Sequence, residues 1–151
     1  MNTQVLQARA GKTTEAMRVV ARKEKRDIEF IRERVTSGKI VIPANVNHKS
    51  LDPVGIGREL LTKINANIGN STLSSCPKQE LEKLKTALKY GADTVMDLST
   101  GGDINSIRRS LLAACPTPVG TVPVYEMVAR AGIEKLDRKL ILDVIREQAE
   151  Q

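Results

Sequence analysis

The sequence predicts an α/β fold: an N-terminal helical segment followed by the first βα units of a (β/α)8 barrel of the TIM type, incomplete within this chain. Three observations predict it. The chain has 151 residues, enough for one domain with a real core, whereas a closed barrel of this type usually needs roughly 250. After Gly57, strand-like and helix-like segments alternate three times, the pattern of right-handed βαβ units in a parallel sheet. Before that point the texture is helical and basic. We place the division at 1–57, a basic helical segment with a short strand, and 58–151, the first three or four βα units. Strand counting leaves a small self-sufficient α/β domain open as the alternative.

Taken in order, Ala16, Met17, Val20 and Ala21 recur at helical spacing, as do Ile28, Ile31 and Val35, with Gly38 just beyond as a stop signal. These spacings predict helices over Thr13–Lys25 and Asp27–Ser37. Ile40-Val41-Ile42 before Pro43 reads as one short strand, and the polar stretch from Pro43 to His48 reads as a loop. A strand at Thr62–Asn67 leads through a loop to a helix at Pro77–Tyr90, whose stripe is Leu81, Leu84 and Leu88. Pro77 suits its first turn, and Gly91 lies just past its end. A second strand, Thr94–Leu98, leads to Asp103 as N-cap of a helix Ile104–Ala114 with the stripe Ile104, Ile107 and Leu111. Pro116 and Pro118 bound a third strand, Val119–Val122, before helices at Val124–Ala131 and Asp137–Gln151.

Composition narrows the function. Lys and Arg number 24 against 18 Asp and Glu, a formal net charge of +6 with pI near 9.5; apolar residues make up 40% and charged ones 28%. That balance is globular. Residues 1–39 hold ten basic and five acidic side chains, so almost all the excess is N-terminal. Arg22, Lys23, Lys25 and Arg26 are read as a solvated helix face in preference to an anion-binding one. Only Phe30, Tyr90 and Tyr125 are aromatic, too few for a stacking platform, so no nucleic-acid partner is expected. No segment is long and apolar enough for a membrane span and no signal-peptide pattern opens the chain; the default address is the cytoplasm.

Cys76 and Cys115 form no CxxC pair, and His48 is the only histidine. No zinc or cluster site can be assembled from these residues, and no metal ligand is assigned in this chain. No Walker loop, GxGxxG or HExxH occurs. In parallel α/β folds ligands bind at the C-terminal ends of strands. The candidates there include Asn65, Asn67, Asn70, Met96, Asp97, Ser99 and Tyr125. Asn65 and Asn67, at i and i+2, face one side of a strand.

Four segments then carry a resemblance: Ile42-Pro43-Ala44-Asn45-Val46-Asn47-His48, Lys63 to Ser71 (KINANIGNS), Gly91 to Gly101 (GADTVMDLSTG) and Pro118 to Tyr125 (PVGTVPVY). In this order they closely resemble the phosphomethylpyrimidine synthase family of thiamine biosynthesis, in its shorter form. The resemblance implies a radical S-adenosylmethionine lyase that converts 5-aminoimidazole ribonucleotide to 4-amino-5-hydroxymethyl-2-methylpyrimidine phosphate. It implies a small N-terminal domain, a barrel that holds substrate, and a C-terminal segment whose three cysteines bind a 4Fe-4S cluster. It also implies zinc and a homodimer.

By the same resemblance Asn67, Met96 and Tyr125 contact the substrate; the position of Asn65, Asn70, Asp97 and Ser99 at the strand ends makes them a possible secondary pocket. The family continues beyond the equivalent of Gln151 into a strand with a substrate-binding histidine, metal-binding histidines and the cluster cysteines. This chain is therefore expected to be an N-terminal portion, catalytically inert alone. Two alternatives stand beside this reading: the paralogous 5-hydroxybenzimidazole synthase of cobalamin lower-ligand synthesis, and a non-catalytic ribonucleotide-binding fragment.

Overall fold

A computed structural model describes residues 3–71, 73 and 76–151. Met1, Asn2 and three residues of the predicted loop before Pro77 (Thr72, Ser74 and Ser75) lie outside the described residues. The fold is mixed α/β, with seven α-helices and two small sheets among the described residues. It divides into two compact units, 1–44 with 51–63, and 45–50 with 64–151.

In the first unit, α1 (Gln4–Arg9), α2 (Glu15–Glu24) and α3 (Ile28–Thr36) are each opened by a side-chain cap: Thr3, Thr14 and Asp27 accept from the amides of Leu6, Met17 and Glu29. Such caps satisfy amides that the first turn leaves unpaired. α1 was not anticipated, because six residues are too few to display a helical period. Met17, Val20, Ile31, Val35 and Ile40 close the core of this unit. β1 (Ile40–Val41) pairs antiparallel with β2 (Ile56–Gly57), so the predicted lone strand has a partner that a two-residue pattern could not announce. Arg22, Lys23, Lys25 and Arg26 are all exposed, and Lys23 pairs with Asp52 at 2.8 Å.

The second unit contains a three-stranded parallel sheet in the order β3 (Asn65–Ile68), β4 (Thr94–Asp97), β5 (Val119–Thr121). α4 (Pro77–Lys89) connects the first pair and α5 (Ile104–Ala114) the second. α6 (Pro123–Ala131), a 3₁₀ turn at Ile133–Lys135 and α7 (Arg138–Glu150) follow, with Asp137 capping α7 through the amide of Leu140. β3 starts three residues later than predicted. Thr62 and Lys63 belong to the first unit, and the Ile64 amide donates to the Asp93 carboxylate at 2.8 Å instead of entering the ladder.

One face of this sheet is packed. Ile68, Val95 and Val119 meet Leu81, Leu84 and Leu88 of α4 and Ile107 and Leu111 of α5, the stripes that the helical period identifies. The polar segment that follows β1 has a structural task of its own: Asn45 and Asn47 donate to the carbonyls of Ala149 and Glu150 at the end of α7, and His48 Nε2 lies 2.6 Å from the Cys115 carbonyl. No described helix is long and apolar enough to cross a membrane.

Candidate functional site

The opposite face of the parallel sheet carries a different set of side chains. Strand alternation sends Asn65 and Asn67 of β3 away from the α4–α5 core. Register places Asn65 beside Thr94, and Asn67 beside Met96, which is itself beside Gly120. Asn65 and Asn67 are exposed, while Thr94, Met96 and Gly120 are half-buried. A Cβ added at Gly120 would sit 3.3 Å from Met96 Cε, so the thioether leans over the glycine. The residues form a shallow floor: two amides on one side, an apolar thioether in the middle, and bare backbone on the other.

Hydrogen bonds order the polar part of this floor. Thr94 Oγ1 donates to Asn65 Oδ1 at 2.9 Å, and Asn65 Nδ2 donates to Asn67 Oδ1 at 2.8 Å. Tyr125 stands in the first turn of α6, directly after β5; its amide donates to the Val122 carbonyl, and the residue is 44% exposed.

Asn70, Asp97 and Ser99, grouped with Asn65 in the sequence reading, are buried and serve the loops at the strand ends. The Asn70 amide donates to Ser99 Oγ at 3.1 Å, the Ser99 amide to Asp97 Oδ1 at 3.0 Å, and the Thr100 amide to the Asn70 carbonyl at 2.8 Å. Gly69 completes this junction. At φ +150° a Cβ there would come within 2.7 Å of the Leu98 and Ser99 backbone, and its amide donates to the buried Glu80 carboxylate at 2.8 Å. The ends of β3 and β4 are thus locked together just beyond Asn67 and Met96.

A second polar assembly lies among α5, α6 and α7. The Arg108 guanidinium reaches Asp97 at 3.3 Å and Glu126 at 2.8 Å, with all three side chains at 4% exposure or less. Glu126 also accepts from Gln148 at 2.7 Å and from Arg130, which in turn pairs with Glu147. Burial pushes the Glu126 carboxyl up. The hydrogen bonds from Arg108 and Gln148, the Arg108 charge and the bond from Arg130 outweigh it and hold Glu126 below the usual carboxylate range. The Arg130 hydrogen bond lowers Glu147 in the same direction. A hollow of about 590 Å³ borders this network, lined in part by Thr100, Gly101, Asp103, Asn105 and Arg130. Another, of about 580 Å³, runs between β3 and α4 and includes Asn67.

The sequence reading did not identify Glu80, Arg108 or Glu126. A signal existed for two of them: Arg108 falls in the apolar phase of Ile104, Ile107 and Leu111, and Glu80 lies one turn before Leu84. A charge on an apolar stripe implies a buried partner.

The Radical SAM ThiC family matches this chain over residues 3–151. The chain belongs to that family. Curated relatives agree, each called phosphomethylpyrimidine synthase. That of Natronomonas pharaonis is 57% identical over 152 residues, covering 100% of this chain and 32% of the relative. That of Haloarcula marismortui is 55% identical, covering 99% and 31%, and that of a Thermoanaerobacter species 53%, covering 97% and 35%. The chain therefore spans about a third of the length of the curated relatives it matches.

A 4Fe-4S cluster held by three thiolates does not fit the side chains present, which include two cysteines. Among the described residues no group of three or more His, Cys, Asp or Glu is arranged to hold a metal ion. Cys115 is buried with its Sγ 3.3 Å from the Thr117 carbonyl, and Cys76 lies at the start of α4.

Proposed function

We propose that this chain forms the first wall of the substrate pocket of a thiamine-biosynthetic lyase, which converts 5-aminoimidazole ribonucleotide to 4-amino-5-hydroxymethyl-2-methylpyrimidine phosphate. The observation that carries the reading is the register of Asn67 with Met96 on the face turned away from the α4–α5 core, together with membership of the family. In this reading the Asn67 amide hydrogen-bonds the ribonucleotide and Met96 packs on its apolar surface. The Tyr125 hydroxyl reaches a polar oxygen such as phosphate.

The sheet is read as the first three strands of a (β/α)8 barrel. Parallel sheets are ordinarily covered on both faces, and this one is packed by helices on one. Its other face then becomes the barrel interior, and the outer edges of β3 and β5 accept further strands. A 4Fe-4S cluster, S-adenosylmethionine and zinc belong to the reading through the family. A cluster that leaves one iron free needs three thiolates, and this chain has two cysteines, so no step is assigned here to its own residues. They bind and orient; the radical source is assigned to other residues. A homodimer and a cytoplasmic address complete the reading.

Calorimetric titration of the 151-residue chain with 5-aminoimidazole ribonucleotide tests it. Saturable binding that Asn67→Ala and Met96→Ala each weaken is the expected result. Binding indifferent to both substitutions, or no binding at all, overturns the pocket assignment.

A further inference from the structure

The hydrogen-bond order on the sheet floor has a direction. Asn65 and Asn67 share one face of β3, and Thr94 lies opposite Asn65 across the parallel ladder. The Thr94 hydroxyl donates to Asn65 Oδ1 at 2.9 Å, and the Asn65 amide nitrogen donates to Asn67 Oδ1 at 2.8 Å. A side-chain amide has one acceptor end and one donor end, so each bond sets the orientation of the next group. With its oxygen engaged by Asn65, Asn67 turns its NH₂ end outward.

We infer that Thr94 and Asn65 are positioning residues that orient the Asn67 amide, so that the floor offers a hydrogen-bond donor and selects an acceptor on the ligand. Acceptors of this kind on a ribonucleotide are a ring nitrogen, a hydroxyl oxygen or a phosphate oxygen. The inference rests on the proposal that Asn67 faces the ribonucleotide, but the orientation of the amide is a property of the free chain and is measurable without any ligand. Asn65 contributes through Asn67: its own nitrogen is directed at Asn67, and its oxygen at Thr94. Both asparagines are exposed, so their replacement leaves the α4–α5 core untouched.

The test has two arms. In the ligand-free ¹⁵N-labelled chain, the side-chain amide protons of Asn65 include one with the low temperature coefficient of a bonded proton, while both Asn67 protons behave as solvent-facing. The reverse pattern overturns the orientation. In the second arm, 5-aminoimidazole ribonucleotide is titrated into Asn65→Ala, Asn67→Ala and the double variant. A net hydrogen bond corresponds to an expected weakening of about three- to tenfold for Asn65→Ala, with no further loss when Asn67→Ala is already present. Thr94→Val weakens binding in the same way, and Thr94→Ser restores it. Losses that multiply independently overturn the positioning role while leaving the pocket reading intact. If Asn67→Ala binds as the parent does, or the parent does not bind, the pocket reading fails, and the amide-proton arm alone decides the orientation.

Discussion

Arg108 donates to Glu126 at 2.8 Å with both side chains almost completely buried, and the same guanidinium reaches Asp97. Asp97 follows Met96 and Glu126 follows Tyr125. One cation therefore ties the strand that carries the methionine to the helix that carries the tyrosine. Removing one member of a buried ion group leaves uncompensated charge. Arg108→Ala is expected to cost about 3 kcal/mol or more in a urea unfolding curve, and Arg108→Met combined with Asp97→Asn and Glu126→Gln to recover part of that loss. A loss for Arg108→Ala no larger than that of an exposed alanine substitution would count against the network.

The same network sets an acid limit on stability. Glu126 titrates below its ordinary range in the folded protein, so its contribution is fully present above the unfolded value of about 4.3. It is lost as pH falls through the lower folded value. Thermal stability of the parent is expected to fall progressively below about pH 5, and Glu126→Gln to flatten that dependence while lowering stability at neutral pH. An unchanged slope in the variant would remove Glu126 from this role.

Gly69 joins the ends of β3 and β4 through backbone contact. At its positive φ, and with a Cβ only 2.7 Å from Leu98 and Ser99 backbone atoms, Gly69→Ala strains both partners. A loss of about 2 kcal/mol or more is expected from such a clash, read as a lowered urea midpoint. A midpoint that does not move would show that the loops adapt.

Gly120→Ala acts on the floor instead of on the fold. The new methyl meets Met96 Cε at 3.3 Å, the far end of a flexible side chain that can swing aside. Stability is expected to change by less than about 1 kcal/mol, while ribonucleotide binding weakens because the thioether is displaced. Calorimetric titration beside a thermal melt separates the two effects, and equal binding in the variant would take Met96 out of the floor.

Tyr125→Phe removes a hydroxyl from a residue that is 44% exposed. The expected result is an unchanged melting temperature and an affinity for the ribonucleotide lowered by about three- to tenfold, the worth of one net hydrogen bond. Undiminished affinity would remove the hydroxyl from the pocket.

Much of the chain was legible in its order of residues. Helical spacing located α2 to α7 to within two residues at each end, because caps such as Asp27, Asp103 and Asp137 and stops such as Gly38 and Gly91 act within one turn. The apolar stripes of α4 and α5 indicated which faces are buried, and the resemblance singled out Asn67, Met96 and Tyr125. Local patterns say nothing about partners distant in the chain. That Ile40 pairs with Gly57, that Asn67 lies beside Met96, and that Arg108 on an apolar stripe meets two carboxylates are facts of register and packing. The same holds for Asn70, Asp97 and Ser99, polar at strand ends and turned inward to brace the loops. Segment type follows from forces acting over three or four residues, so the sequence alone determined it; register and burial depend on contacts between segments tens of residues apart, so only the tertiary structure decided them.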